Sequence, residues 1–165
     1  MITCMVADMS GILEGLFSKA LWDGMKAGVQ SLSSAKIQIT SPRPLEPLTG
    51  AEQLGTMQVF TIRGTLKRLP KEYEIWLLLE EPSGRIWPQG FYNVQFNPDT
   101  GAWMGKINGA GCKEVKIVAV VSPPTSQDYF RYFQTTGVSG GYHFEPLKRI
   151  PPECRNQASV QAFIP

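Results

Sequence analysis

The stretch Tyr73–Ile107, YEIWLLLEEPSGRIWPQGFYNVQFNPDTGAWMGKI, decides the fold of most of this chain. It holds short β-prone, aromatic-rich segments that are separated by turns of Pro, Gly, Asn and Asp residues. Pro82-Ser83-Gly84 and the run from Asn97 to Gly101 are the two clearest of these turns. Short strands at this spacing are typical of an antiparallel β-sandwich.

Other segments on either side continue the pattern, with alternating or wholly apolar residues between turns. The predicted strands are Lys36–Thr40, Met57–Thr65, Tyr73–Glu80, Ile86–Pro88, Asn93–Asn97, Ala102–Ile107, Lys113–Val121 and Ala158–Ile164. We predict a proline-rich loop from Pro42 to Gly55 and irregular structure from Tyr142 to Pro152. One or two helical turns are predicted over Ser126–Gln134, with Ser126 as the N-cap.

The succession ITSP, FTIRGT, IWLLLE, WPQG, GAWMGKI and VKIVAVV resembles the immunoglobulin-like and fibronectin-like β-sandwich modules of bacterial multidomain proteins. The resemblance covers Lys36 to Pro165 and implies an accessory, adhesive or scaffolding role. The chain differs from antibody domains in having no cysteine pair around Trp76. The segment from Phe130 to Pro152 is also longer than a simple hairpin between the last two strands.

The residues before this region predict an amphipathic α-helix over Met9–Leu32, so we divide the chain into a helical segment, 1–34, and a sandwich domain, 35–165. Its apolar face includes Leu13, Leu16, Phe17, Leu21 and Met25. Four glycines lower its helix propensity, which indicates that packing holds it. Three alternatives stay open: the helix packs on the sheet, pairs with a copy or a partner's helix, or lies on a membrane.

Composition narrows the class of protein. The 165 residues suit one domain with an appendage, and 42% hydrophobic with 18% charged residues are typical of a globular chain. A net charge of +2 without a basic stripe argues against nucleic-acid binding. The densest basic cluster, Lys67, Arg68 and Lys71, is predicted to be a solvated loop.

Three cysteines are too few for a disulfide scaffold, so we expect free thiols in a reducing cytoplasm. A bridge between Cys112 and Cys154 is the alternative for an exported chain. We expect neither a secretory signal nor a conventional membrane span.

Reactive groups are sparse, and we predict no enzyme activity, no cofactor and no metal. The single histidine, His143, could pair only with Cys112 as a thiol–imidazole couple, and nothing near Cys112 would activate it. Asn97, Asp99 and Thr100 carry calcium-type oxygens, but the chemistry of a turn explains them.

Aromatic residues supply the candidate contact sites. Trp76 and Trp103 are predicted to be buried, whereas Trp87 and Tyr92 are candidates for exposure. On a helix, Tyr129, Tyr132 and Phe133 would share a face, which either covers the open end of the sandwich or contacts a protein partner. These contact residues and the helix face at Leu13, Leu16, Phe17, Leu21 and Met25 form the predicted interaction set.

We therefore predict a non-enzymatic interaction or scaffolding protein, which self-associates or is tethered through its N-terminal helix and contacts a partner through the sandwich. Two alternatives are a membrane-associated accessory protein whose helix enters the bilayer, and a carbohydrate-binding module that uses Trp87 and Tyr92.

Overall fold

The computed structural model describes residues 36–54, 57–89, 93–109, 114–139, 146–154 and 156–165. Within these residues the chain is mainly β, with nine strands and one helix. The elements are β1 Gln38–Ser41, β2 Glu52–Leu54, β3 Met57–Thr65, β4 Glu74–Glu80, β5 Ile86–Gln89, β6 Gln95–Phe96, β7 Ala102–Asn108, β8 Glu114–Ser122, α1 Pro124–Ser139 and β9 Gln157–Phe163.

The eight predicted strands are all confirmed, with ends that differ by no more than two residues. Strand β2 was missed, because the segment between Pro42 and Gly55 was predicted to be a loop. The predicted N-terminal helix and the division of the chain at residue 34 lie outside the described residues. Both stay predictions.

The helix prediction was too short, and its cap was wrong. Helix α1 spans sixteen residues, and it begins at Pro124 rather than at Ser126. Proline suits the first helical position because its ring fixes φ near the helical value and its missing N–H would be unpaired there. Ser126 is instead a buried residue of the first turn.

The strands form two antiparallel sheets. Sheet A has the order β1-β3-β7-β6, with β2 also paired to β3, and sheet B has the order β5-β4-β8-β9. Two side-chain amides link the sheets: Gln89 Oε1 accepts from the Asn108 N–H at 2.8 Å, and Asn156 Oδ1 accepts from the Ile37 N–H at 3.1 Å.

The inner core lies between the two sheets. A Cβ added at Gly105 of β7 would lie 2.7 Å from Leu77 Cδ1, so these two residues face each other across the core. Strand alternation places the other inward side chains. On sheet A they are Phe60, Ile62, Trp103 and Ile107, and on sheet B they are Ile75, Leu79, Ile117, Ala119, Val121, Val160 and Ala162, all of them buried.

A second apolar layer lies on the outer face of sheet B. Trp76 and Leu78 of β4 are paired with Val120 and Val118 of β8, and this face is covered by Phe130 of α1. Ile86, Leu147 and Cys154 complete the cluster. The sequences IWLLLE and VKIVAVV are apolar at nearly every position because both faces of these strands are buried.

Trp103 reaches its buried position because Gly64 has no side chain. A Cβ at Gly64 would lie 2.1 Å from the Trp103 ring and 2.1 Å from the Gln38 carbonyl oxygen. The indole therefore lies directly over the β3 backbone, 2% exposed. Its Nε1 has no hydrogen-bond partner in the described structure.

We expect Gly64→Ala to lower the free energy of unfolding by about 3 kcal/mol or more, because neither the indole ring nor the β1 backbone has room to move away. Urea unfolding followed by tryptophan fluorescence measures this. The control is Thr65→Ala, an exposed neighbour on the same strand, for which a change within about 1 kcal/mol is expected. Equal losses in the two variants would show that the close approach of Trp103 does not matter.

Candidate functional site

Helix α1 is fixed to sheet B by one fully buried aromatic residue. Phe130 is 0% exposed, and its ring centroid lies 5.1 Å from that of Trp76. Gln127 adds a hydrogen bond between the helix and the residues before β4. Its Nε2 donates to the Glu72 carbonyl at 2.6 Å. The helix therefore covers the outer face of sheet B, not the open end of the sandwich as one of the predictions had it.

Two other aromatic residues of the helix, Tyr129 and Tyr132, point away from that core. Tyr129 is 46% exposed and Tyr132 is 64% exposed, while Phe133 is half-buried and packs against the core. Phe133 contacts both tyrosines edge-on, with centroid distances of 5.1 Å to Tyr129 and 6.1 Å to Tyr132. We call these three residues the aromatic ridge. Of the face that the three were predicted to share, Tyr129 and Tyr132 are exposed.

A chain of polar contacts connects the helix to the start of β4. The Arg131 guanidinium donates to Glu74 Oε1, and Trp76 Nε1 donates to Glu74 Oε2 at 3.1 Å. Arg131 also donates to Gln127 Oε1. Both oxygens of Glu74 therefore accept hydrogen bonds, and the carboxylate links the helix to the start of β4.

Next to Glu74 lies a cleft of about 260 Å³ at the start of β4, which we call the edge cleft. Its described lining combines apolar and polar side chains: Leu69, Tyr73, Glu74, Ile75, Trp76, Gln89, Asn93, Val94 and Phe96. The sequence reasoning missed this site. No joint signal in the sequence marks it, because its lining residues come from separate segments that meet only in the fold.

Trp87, predicted to be exposed, is half-buried on β5. Its Nε1 donates to Glu81 Oε1 at 2.8 Å, and the Arg85 guanidinium lies 6.0 Å from the ring centroid. A sugar ring that stacked on that face would have to displace Arg85.

The contacts of Glu81 with Trp87 and Arg85 also affect the pKa of its carboxyl group. Partial burial raises its pKa, but hydrogen bonds from Ser83, Trp87 and Arg85, with the Arg85 charge, outweigh burial and leave the pKa below its usual value of 4.5. The group is ionised at neutral pH and is engaged in structural contacts. A general acid that acts near neutral pH needs a raised pKa, so the lowered pKa of Glu81 does not suit that role.

Most of the other predicted site residues lie outside the described part of the chain. These are Leu13, Leu16, Phe17, Leu21, Met25 and Tyr92 of the interaction set, with Cys112 and His143 of the thiol–imidazole couple. The structure brings together Tyr129, Tyr132 and Phe133 on α1, whereas Trp87 lies on β5 of sheet B.

Within the described residues, no group of three or more His, Cys, Asp or Glu side chains could hold a metal ion. Asn97 Oδ1 accepts from the N–H groups of Asp99 and Thr100, at 2.9 and 3.2 Å, which is the turn chemistry predicted for this segment. Lys67, Arg68 and Lys71 are exposed, as predicted. No helix in this part of the chain has the length and hydrophobicity to cross a membrane.

Cys154 is a buried free thiol behind the first turn of α1. Burial raises the pKa of Cys154 above 9.0, and hydrogen bonding with Ser122 and Ser126 opposes this without cancelling it. The thiol is therefore neutral and enclosed, which is the environment of an inert structural cysteine.

No protein-family model matches this chain, and no curated protein matches it. The function must therefore be argued from the geometry of the described residues.

We expect Phe130 and Tyr132 of α1 to contribute very differently to the free energy of unfolding. Phe130→Ala should lower the free energy of unfolding by about 3–5 kcal/mol, because it empties a fully enclosed site against Trp76. Tyr132→Ala should change it by no more than about 0.5 kcal/mol, because most of that side chain is already in water. Urea unfolding followed by circular dichroism compares them, and similar losses would contradict the assignment of Phe130 as the anchor.

We expect Cys154 to make the free energy of unfolding depend on pH. The pKa of Cys154 is higher in the folded state than in the unfolded state. Its stabilising contribution to the free energy of unfolding is therefore complete below the unfolded pKa, and it is lost as the pH rises through the folded pKa. The stability advantage of the native protein over Cys154→Ala should therefore shrink as the pH rises above the unfolded thiol pKa of about 8.5, by up to about 1.4 kcal/mol per pH unit. Urea unfolding of both proteins in reducing buffer measures this. A difference that is constant with pH would refute it.

Proposed function

We propose that this chain is a non-enzymatic protein-interaction module built on an immunoglobulin-like sandwich, and that the aromatic ridge is its partner-contact surface. The strand order supports the fold assignment. With β1, β3, β4, β5, β6, β7, β8 and β9 taken as strands A, B, C, C′, D, E, F and G, the two sheets have the orders A-B-E-D and C′-C-F-G. These orders are those of immunoglobulin domains.

The observation that carries the proposal is the exposure of Tyr129 and Tyr132 beside the buried Phe130. Tyrosine is favoured at protein interfaces because it offers a large rigid contact area and loses little conformational entropy on binding. Here Phe133 contacts both tyrosine rings edge-on, and the helix itself is held by Phe130 and by Arg131. The rings are thus already ordered before a partner arrives.

The exposed area indicates the kind of interface. Tyr129 and Tyr132, at 46% and 64% exposure, offer together about 200 Å² of accessible side-chain surface. A stable interface buries about 800 Å² on each partner, so the ridge is an anchor within a larger footprint. Asp128 and Arg131 beside it carry opposite charges. We therefore infer a protein partner that presents an apolar pocket, not a strongly charged one.

The other roles inferred from the sequence belong to the same proposal or stand as its alternatives. Self-association or tethering through residues 1–34 stays a prediction, as does insertion of that segment into a membrane. Carbohydrate binding through Trp87 and Tyr92 also stays a prediction, and it gains no support from the position of Arg85 over the Trp87 ring.

We expect binding of a true partner to depend on the two tyrosine rings. Proteins captured from a lysate by the full-length chain would be purified and titrated against the native protein and against Tyr129→Ala/Tyr132→Ala, with calorimetry as the readout. The double alanine variant should bind at least about 30-fold more weakly, because two anchor residues each contribute about 1 kcal/mol or more.

Tyr129→Phe/Tyr132→Phe is the matched control, since it keeps both rings and removes only the hydroxyl groups. It should bind within a few-fold of the native protein. If every purified candidate binds the double alanine variant as tightly as the native protein, the ridge is not the contact surface and the proposal fails.

A further inference from the structure

The outer face of sheet A presents exposed side chains, whereas α1 covers the outer face of sheet B. On β3 the inward residues Phe60 and Ile62 are buried, so strand alternation places Thr61, Arg63 and Thr65 on the outer face. Arg63 and Thr65 are exposed. Their side chains are therefore accessible to another molecule without any change in the fold.

The alternation continues past the ends of β1 and β3, and it adds two lysines to this face. Ile37 and Leu66 are both buried, so the residues next to them, Lys36 and Lys67, point to the outer side. Both lysines are exposed. The antiparallel register of β1 and β3, extended by two residues, places Lys36 opposite Lys67.

These cations form a cluster that no single segment of the sequence contains. Arg63 lies four residues before Lys67, which is about 13 Å along an extended strand. Arg68, the next residue of the loop, is also exposed. We call Lys36, Arg63, Lys67 and Arg68 the basic face.

The charge of the basic face is not neutralised within the part of the chain that the structure describes. None of its four cations forms an ion pair there, whereas Lys106, Lys116 and Arg131 each pair with a glutamate. One carboxylate lies beside the face. Asp99 belongs to the turn before β7, and the Gly101 carbonyl of this turn accepts from the Leu66 N–H at 2.8 Å. An excess of positive charge therefore remains.

The side chains between the cations limit the kind of anion that fits. They are short or neutral, as Gln38, Thr65 and Ala102 are, and none of the described residues on this face is aromatic. Single-stranded nucleic acids are held by stacking of their bases on aromatic rings. Extended peptides are held by a strand edge or by side-chain pockets. A sheet face with separated cations better suits an anion that is itself a broad surface.

We propose that the basic face binds the anionic surface of a lipid membrane. Side chains on one face of a sheet project in the same direction, so the ammonium and guanidinium groups reach the plane of the lipid headgroups together. Each Lys or Arg near such a surface strengthens binding about fivefold. Four cations opposed by Asp99 give weak, reversible binding, which orients the domain but needs a second contact for stable anchoring.

The basic face and the aromatic ridge lie on opposite sides of the sandwich. One is on the outer face of sheet A, and the other is on the helix that covers the outer face of sheet B. A domain that contacts a membrane through the basic face therefore holds Tyr129 and Tyr132 away from the lipid, where a protein partner can reach them. The two contacts are independent, so failure of one proposal does not decide the other.

The probe is a pair of vesicle preparations, one of phosphatidylcholine alone and one with about one-third phosphatidylserine, mixed with the full-length protein and sedimented. We expect stronger binding to the vesicles that contain phosphatidylserine. This difference should disappear in about 1 M salt, where the screening length falls to about 3 Å. Any binding that is common to the two preparations is not electrostatic, so the difference isolates the contribution of charge.

Two double variants with the same change in net charge test the position of the contact. Arg63→Gln/Lys67→Gln should lower the partition coefficient on phosphatidylserine vesicles about 30-fold, because two cations of the basic face are lost. Lys148→Gln/Arg149→Gln should bind within a few-fold of the native protein. Both of these residues are exposed, but they follow Leu147, which pairs with Ile86 of sheet B. Tyr129→Ala/Tyr132→Ala should also bind normally.

Three results would overturn the proposal. The first is equal binding to the two vesicle preparations. The second is an equal loss in the two double glutamine variants, which would show an effect of net charge alone. The third is binding to soluble poly-glutamate that depends on Arg63 and Lys67, with no binding to phosphatidylserine vesicles, which would assign the basic face to an acidic protein instead.

Discussion

The central strands of sheet B, β4 and β8, bury apolar side chains on both of their faces, and this requires two separate covers. Sheet A covers the inner face, where Leu77 meets the space left by Gly105. The outer face would otherwise present Trp76, Leu78 and their neighbours to water, which would cost about 1.5–3 kcal/mol for each large side chain. The long connection between β8 and β9 supplies the second cover, and helix α1 is its main part.

Because α1 is a cover, its residues have unequal roles. Positions that point toward the sheet are fixed by packing, as Phe130 is, while positions on the far side are not needed for the fold. Tyr129 and Tyr132 lie on this far side and are exposed, and this is the surface that we propose contacts a partner.

The strands could be predicted from the sequence because turn residues mark their ends and because KEVKIVAVV and YEIWLLLE allow little else. The three-residue strand β2 could not, since its pairing depends on β3 rather than on its own sequence. The extent of α1 was underestimated because Ser126 was taken as the N-cap, whereas the helix begins at Pro124, and proline suits the first position of a helix. The edge cleft was missed because a cleft depends on where neighbouring strands end, and Tyr73, Gln89 and Val94 carry no joint signal along the chain.

The tryptophans of the described residues differ in their hydrogen bonding, and this difference can be used in fluorescence measurements. Trp76 and Trp87 both donate to carboxylates, whereas the indole of Trp103 is buried between the sheets and its Nε1 has no hydrogen-bond partner among the described residues. An indole in such dry surroundings emits at shorter wavelength than one that is hydrogen-bonded or hydrated. Its blue-edge emission therefore serves as an intrinsic optical gauge of whether the two sheets are in contact, with no added dye.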